Sequence, residues 1–98
     1  MEPTPAAQIP RELRPFIDEQ GRLHRWPSRQ KVQRMAAVHL AARFEPGREY
    51  SERDVNFLLT EWHTFGDWAL LRRMLYDWKF LDRERDGSRY RLRAPAGD

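Results

Sequence analysis

The sequence predicts a mainly α-helical domain with a small β-ribbon, arranged as a winged helix-turn-helix. Two observations indicate this fold class. Two short amphipathic helix patterns follow each other across a short turn within residues 51–79. Two alternating segments then flank Asp86-Gly87, a dipeptide typical of β-hairpins. The predicted architecture is a three-helix core, a C-terminal hairpin wing and a short N-terminal helix.

The length of 98 residues suits one small domain. We expect a disordered tail over residues 1–9, a single domain over residues 10–93 and a frayed end over residues 94–98. Four Trp, five Phe and three Tyr supply the apolar area that so small a core needs.

The composition excludes several classes of protein. The chain has no cysteine, so it has no disulfides, thiolate zinc sites or cysteine nucleophiles. No apolar run reaches the roughly 20 residues of a membrane span, and the N-terminus lacks a signal-peptide pattern. We therefore expect a soluble cytoplasmic protein with no membrane partner.

The first half of the chain predicts a short helix followed by a central one. Pro10 can open a helix that ends at Gly21, and an alternating piece leads from there to Pro27. Ser28 is a suitable N-cap for the central helix, which we expect to end near Phe44. That helix is apolar over most of its circumference, as helices packed by several neighbours are.

Residues 48–50 are long enough for a small strand that pairs with the ribbon. Ser51 predicts the N-cap of the next helix, whose apolar stripe is Val55, Leu58, Leu59 and Trp62. Residues 63–66 form the turn, in which Gly66 can take a left-handed conformation.

Asp67 predicts the N-cap of a third helix that runs to about Lys79 and separates into two sides. The apolar side comprises Trp68, Leu70, Leu71, Met74, Leu75 and Trp78. The other side comprises Ala69, Arg72, Arg73, Tyr76 and Lys79. In the hairpin that follows, Tyr90 and Leu92 share one face of their strand, and Arg89, Arg91 and Arg93 share the other.

An ordered series of short motifs resembles the bacterial domain-of-unknown-function 2087 family (DUF2087) over about residues 14–93. These motifs are Gly21-Arg22-Leu23, Trp26-Pro27-Ser28, Phe44 to Glu52, Val55-Asn56, Asp67, Leu71 to Leu75, Asp77, Leu81, Arg83, Asp86-Gly87-Ser88 and Tyr90. The resemblance implies a winged-helix-like fold and an association with bacterial transcriptional regulators.

The distribution of charge suggests double-stranded DNA as a partner, although the net charge is only +3. Basic residues concentrate on the third helix and the ribbon, where a DNA-reading helix and a wing would lie. The candidate DNA contacts are Ala69, Arg72, Arg73, Tyr76, Lys79, Arg83, Arg85, Arg89 and Arg91. One arginine of the Arg72-Arg73 pair has a structural alternative, namely pairing with Asp77 or with Glu52 or Asp54.

The ribbon arginines can also have a role other than DNA binding. Charged side chains on an exposed hairpin edge protect it from aggregation. The second hypothesis for the whole chain is a non-catalytic module for protein interaction or dimerisation, with a homodimer or a partner regulator, and the low net charge supports it. Trp26, Phe57 and Phe65 fit the apolar stripes poorly and either cover the ends of the core or mark such a surface.

The sequence contains no pattern of residues typical of a catalytic site. The three histidines lie in unrelated settings, and Ser28, Ser51 and Ser88 serve as caps or turn residues. There is no phosphate-binding glycine loop. We expect no enzyme activity, no metal and no cofactor.

Overall fold

The computed structural model describes residues 9–93, which form three α-helices and a three-stranded antiparallel sheet. The helices are α1 (Gln30–Ala41), α2 (Glu52–Glu61) and α3 (Trp68–Asp77). The strands are β1 (Glu49–Ser51), β2 (Leu81–Arg83) and β3 (Arg89–Leu92), and their order in the sheet is β1-β3-β2. No helix within this range is long and apolar enough to cross a membrane.

The predicted tails, residues 1–8 and 94–98, lie outside the described residues. Ile9, the last residue of the predicted N-terminal tail, does not match that prediction. Its side chain is 6 % exposed and belongs to the core, so the domain begins at least one residue earlier than predicted.

The predicted N-terminal helix is reduced to a single 3-10 turn over Arg14–Phe16. A compact turn replaces the rest of it. The Asp18 carboxylate accepts the backbone N–H groups of Gln20 (2.9 Å) and Arg22 (2.8 Å), which favours a turn over a further helical turn. Leu23 then pairs with Ile17 in an isolated antiparallel bridge, so an extended piece follows as predicted.

α1 is shorter than predicted at both ends, and Ser28 is not its N-cap. Arg29 occupies that position in an extended conformation and makes no capping side-chain hydrogen bond. The central character of the helix is confirmed, because Val32, Ala36 and Leu40 are buried along it. His39 is buried as well, and its Nε2 lies 2.7 Å from the carbonyl oxygen of Gly21.

The predicted start of α2 is confirmed in detail. The Ser51 hydroxyl accepts the N–H of Asp54 (3.0 Å), and the Asp54 carboxylate accepts the N–H of Ser51 (3.2 Å), which completes a capping box. Asp67 caps α3 through the N–H of Leu70 (3.3 Å), and Gly66 has a positive φ of 69°.

α3 ends at Asp77, two residues before the predicted end, because the chain closes the helix in a Schellman arrangement. The N–H of Phe80 donates to the carbonyl of Leu75 (2.9 Å), and the N–H of Lys79 donates to that of Tyr76 (3.1 Å). Lys79 therefore takes the left-handed position, with φ at 67°, where glycine is the usual residue.

The predicted strand at residues 48–50 is confirmed as β1, one residue later, and it pairs with β3 so that Tyr50 faces Tyr90. The hairpin is also confirmed, but its connection is longer than the two residues predicted. The N–H of Gly87 donates to the carbonyl of Glu84 (2.9 Å), and the N–H of Glu84 donates to that of Arg89 (2.9 Å). Asp86 and Gly87 therefore occupy the second half of a turn that Glu84 opens.

The core lies between the helices and one face of the sheet. Its largest fully buried side chains include Leu13 and Leu23 before α1, Leu59 and Leu75 from α2 and α3, and Tyr90 from β3. Trp68 departs from the prediction, since this first residue of α3 is 42 % exposed rather than packed with the apolar side.

Replacing Lys79 with glycine should stabilise the protein. A β-carbon at a left-handed position is strained, so Lys79→Gly is expected to raise the free energy of unfolding by about 0.5–1 kcal/mol in urea denaturation. Lys79→Ala removes the same charge and keeps the β-carbon, and it should leave stability nearly unchanged. Equal gains from both variants would mean that the left-handed backbone carries no strain.

Stability should fall in mild acid because of His39. Burial lowers the pKa of His39 below its ordinary 6.5, and the charge of Arg43 adds to this, although the hydrogen bond to Gly21 acts in the opposite direction. The unfolded chain therefore takes up this proton more readily than the folded one. The contribution of His39 is complete above pH 6.5 and is lost as pH falls through the lower pKa of the folded state.

The test compares urea unfolding at neutral pH and in mild acid for the native chain and for His39→Gln. The variant, which keeps an amide donor for Gly21, should lose less stability on acidification than the native chain. An identical loss in both proteins would contradict the assignment.

Candidate functional site

The turn between α2 and α3 is fixed by His63. Asp67 donates its backbone N–H to Nε2 of His63 (2.9 Å), so this nitrogen must be the acceptor. The proton is therefore on Nδ1, which donates to the carbonyl oxygen of Leu59. One imidazole thus joins the last turn of α2 to the N-cap of α3.

Leu23 contacts the same turn from the N-terminal segment. Its N–H donates to the carbonyl of Trp62 (2.9 Å), and its own carbonyl accepts the N–H of Thr64 (3.0 Å). The side chain is fully buried, so these bonds are shielded from water. Together, His63 and Leu23 fix the direction in which α3 leaves α2.

Sequence reasoning missed both of these roles. It considered the three histidines only as candidates for catalysis or metal binding. The usable signal was a histidine placed four residues after Leu59 and four before the N-cap Asp67, a spacing that suits hydrogen bonds to both helix ends.

α3 turns its predicted polar side toward a cleft of about 310 Å³ that it shares with β2. The structure brings together five of the nine candidate residues here: Ala69, Arg72, Arg73, Tyr76 and Arg83. Asp77 and Tyr90 complete the lining. The helix side and the start of the hairpin therefore form one continuous surface, which we call the α3 cleft.

Arg72 is the structural arginine of the pair. Its guanidinium lies 3.4 Å from the carboxylate of Glu52 and donates a hydrogen bond to the side-chain oxygen of Asn56. The side chain is only 22 % exposed, which matches its role in joining α3 to α2. Glu52 was among the predicted partners, whereas Asn56 was not.

Arg73 is exposed and forms no ion pair or side-chain hydrogen bond with any residue in the range 9–93. Arg83 lies across the cleft, with its guanidinium 4.4 Å above the ring of Tyr76. A hydrogen bond with Tyr90, helped by Tyr76, raises the pKa of Arg83. The α3 cleft thus presents one unengaged arginine and one that a tyrosine ring orients.

The outer face of the sheet is charge-balanced. Arg89 pairs with Glu49 (3.0 Å), and Arg91 pairs with Glu49 and Glu84 (both 3.5 Å). Arg93 pairs with Asp82 (3.6 Å). All of these pairs are exposed and individually weak, so an outside anion can compete for the arginines.

The two remaining candidates lie away from the α3 cleft. Arg85 is exposed in the hairpin connection, beside Asp86 and Ser88. Lys79 lies beyond the end of α3 and is not part of its polar side, which corrects the prediction.

Lys79 instead borders a larger apolar groove of about 980 Å³ between α1 and the sheet, which we call the α1–sheet groove. Its apolar lining includes Val38, Ala42, Pro46, Phe80 and Leu92.

Residues 9–93 contain no group of three or more His, Cys, Asp or Glu side chains placed to hold a metal ion.

Comparison with known proteins gives one family. A family model described as "Uncharacterized protein conserved in bacteria (DUF2087)" matches residues 22–92. This match confirms the family resemblance that the motifs indicated. No curated protein and no solved structure matches the chain.

Removing the imidazole at the α2–α3 turn should be costly. His63→Ala leaves the N–H of Asp67 without its acceptor, while the carbonyl of Leu59 keeps the N–H of Trp62 (3.0 Å). We therefore expect a loss of about 1–3 kcal/mol in the free energy of unfolding, measured in urea. The control is His24→Ala, which removes an exposed histidine and should change stability by less than about 0.5 kcal/mol. Equal effects of the two changes would contradict the role assigned to His63.

Proposed function

The chain belongs to the DUF2087 family, and because the family description assigns no activity, we propose a function from the geometry. We propose that the protein is a winged-helix domain that binds double-stranded DNA and acts in transcriptional regulation. The observation that carries the proposal is the α3 cleft, where exposed Arg73 and ring-oriented Arg83 flank one side of α3.

The topology supports this assignment. The element order α1-β1-α2-α3-β2-β3, with β3 in the middle of the sheet, is that of a three-helix core followed by a hairpin wing. In winged-helix proteins the last helix of the core enters the major groove, which is about 12 Å wide and admits one α-helix. Here that helix is α3, and α2 precedes it across the turn fixed by His63.

The residues of the cleft have distinct roles in the proposal. Arg73 offers a planar fork to a phosphate or to a guanine edge. Ala69 has a small side chain, so the helix backbone can approach the DNA closely. Tyr76 and Arg83 form a stacked pair at the wing side of the helix, suited to a backbone phosphate. Arg72 acts indirectly, since its contacts with Glu52 and Asn56 position α3.

The charges predict weak binding by one copy. Glu52 and Asp54 place negative charge at the N-terminus of α2, and the sheet arginines already have acidic partners. Arg89 or Arg91 can contact a phosphate only after its ion pair with Glu49 has been broken. Few cations are thus immediately available, and a modest salt dependence follows.

The alternative function, a non-catalytic interaction or dimerisation module, is favoured by a different observation. The α1–sheet groove is apolar and open, and exposed apolar surfaces of this kind commonly bind other proteins. The α1–sheet groove shares no lining residue with the α3 cleft, so the two functions are compatible in one protein.

The experiment is fluorescence anisotropy of the full chain with random duplex DNA across a salt series. Arg73→Ala should weaken binding by about tenfold, because it removes a direct contact. If that contact is to a phosphate, the slope of log affinity against log salt should become shallower by about 1. The matched control is Arg48→Ala, which removes the same charge from the loop before β1, outside the α3 cleft.

Two outcomes would count against DNA binding. One is a folded native chain that binds no duplex even at low salt. The other is an equal loss in Arg73→Ala and Arg48→Ala, which would mean that only net charge matters.

A further inference from the structure

Trp68 differs from the other tryptophans of the domain. Trp26, Trp62 and Trp78 pack against the hydrophobic core, whereas Trp68 is 42 % exposed to solvent. It is the first residue of α3 and directly follows the N-cap Asp67. Its indole therefore keeps a large apolar surface available for contact with another molecule.

The position of Trp68 on α3 places it beside the α3 cleft. Arg72, which lines that cleft, lies one turn after Trp68 on the same side of the helix. Within residues 9–93, two other large apolar residues are exposed, Val38 on α1 and Phe57 on α2. Of these three exposed side chains, Trp68 is thus the one that the proposed DNA-reading helix carries.

The first turn of a recognition helix is the part that meets the base pairs. In helix-turn-helix proteins the N-terminal residues of this helix contact base edges in the major groove. That groove is about 12 Å wide, and a helix with its side chains is about 10–12 Å across, so residues on the flanks of the helix also reach the walls of the groove. Trp68 occupies the first position of α3, on the flank that also carries Arg72.

The major groove offers an indole one kind of apolar partner. Every base pair presents hydrogen-bond donors or acceptors there, and thymine alone adds a methyl group, on its C5 atom. Tryptophan has a single N–H donor and no acceptor, so most of its surface cannot pair with the polar base edges. The thymine methyl group is the base-edge group that complements this surface.

We propose that Trp68 contacts the C5-methyl group of thymine when α3 lies in the major groove. The contact gives the domain a preference for A·T base pairs at that position. It rests on the proposed binding of double-stranded DNA and adds a specificity-determining residue to it. Arg73 supplies affinity in this arrangement, whereas Trp68 supplies discrimination between bases.

The charges around Trp68 are compatible with this contact. The carboxylate of Asp67 accepts the N–H of Leu70 (3.3 Å) at the positive end of the dipole of α3, so this acid is engaged by the helix itself. Arg72 is held by Glu52 on the other side of Trp68. The contact with the methyl group is apolar and needs no free charge from the protein.

The experiment is fluorescence anisotropy of the full chain with a duplex of alternating A and T and with the same duplex in which uracil replaces every thymine. Uracil keeps the hydrogen-bonding groups of thymine and lacks only the methyl group. The native chain should bind the thymine duplex more tightly, by about fourfold for each methyl group that the indole covers. Trp68→Ala should bind both duplexes with the affinity that the native chain has for the uracil duplex.

Three further variants serve as controls. Trp68→Phe keeps an apolar ring and should retain most of the preference for thymine. Phe57→Ala removes an exposed aromatic ring from α2, outside the α3 cleft, and should change neither affinity nor preference. Arg73→Ala should weaken binding to both duplexes alike and leave their ratio unchanged. Urea unfolding checks that Trp68→Ala is as stable as the native chain.

Methylated cytosine gives an independent measurement. 5-Methylcytosine carries its methyl group at the same place in the major groove as thymine does. A duplex of alternating G and C should therefore bind the native chain more tightly when its cytosines are methylated, and Trp68→Ala should not respond to the methylation.

The results separate this proposal from DNA binding itself. Equal affinities of the native chain for the thymine and uracil duplexes would overturn the contact and leave DNA binding intact, and the indole would then be available to a protein partner. A preference for thymine that Trp68→Ala retains would also overturn it, because the methyl groups would then act through the shape of the DNA. If the folded native chain binds neither duplex at low salt, the proposed function fails and the contact fails with it.

Discussion

The fixed turn between α2 and α3 is the constraint on which the rest of the structure depends. His63 uses both ring nitrogens within the turn, one toward Leu59 and one toward Asp67. Leu23, from a segment about 40 residues earlier in the chain, adds two backbone hydrogen bonds. With these bonds in place, α3 has one direction relative to α2, and this direction brings its polar side beside β2. The N-terminal segment thus helps to orient α3, although it has little regular secondary structure of its own.

Much of this fold could be predicted because its signals are local. The N-cap residues Ser51 and Asp67 predict the starts of α2 and α3. The alternation of apolar and charged residues around Tyr90 predicts which face of β3 is buried. The end of α3 could not be predicted, since Lys79 occupies a position where glycine is the expected residue. The turn at Asp18 was missed for a related reason, because a side chain that bonds neighbouring backbone groups competes with the helix.

Part of the candidate site could also be predicted, because helical periodicity is a local signal. Helical periodicity places Ala69, Arg73 and Tyr76 on one side of α3, and the structure confirms that they share a cleft. Periodicity cannot say which arginine a carboxylate from another helix engages, and only the tertiary contact between Arg72 and Glu52 decides it. Acidic partners, rather than the count of arginines, determine which positive charges this domain presents.

The position of β3 has a consequence for the order in which the domain forms. β3 is the middle strand of the sheet, yet it follows every other described element in the chain. Within residues 9–93, β1 and β2 pair with no strand but β3, so neither has a strand partner until β3 has been synthesised. The sheet can therefore be completed only after all three helices have been synthesised. β1 is synthesised first and so lacks its partner strand for the longest time. It is only three residues long, and so short an exposed edge offers little template for pairing with other chains.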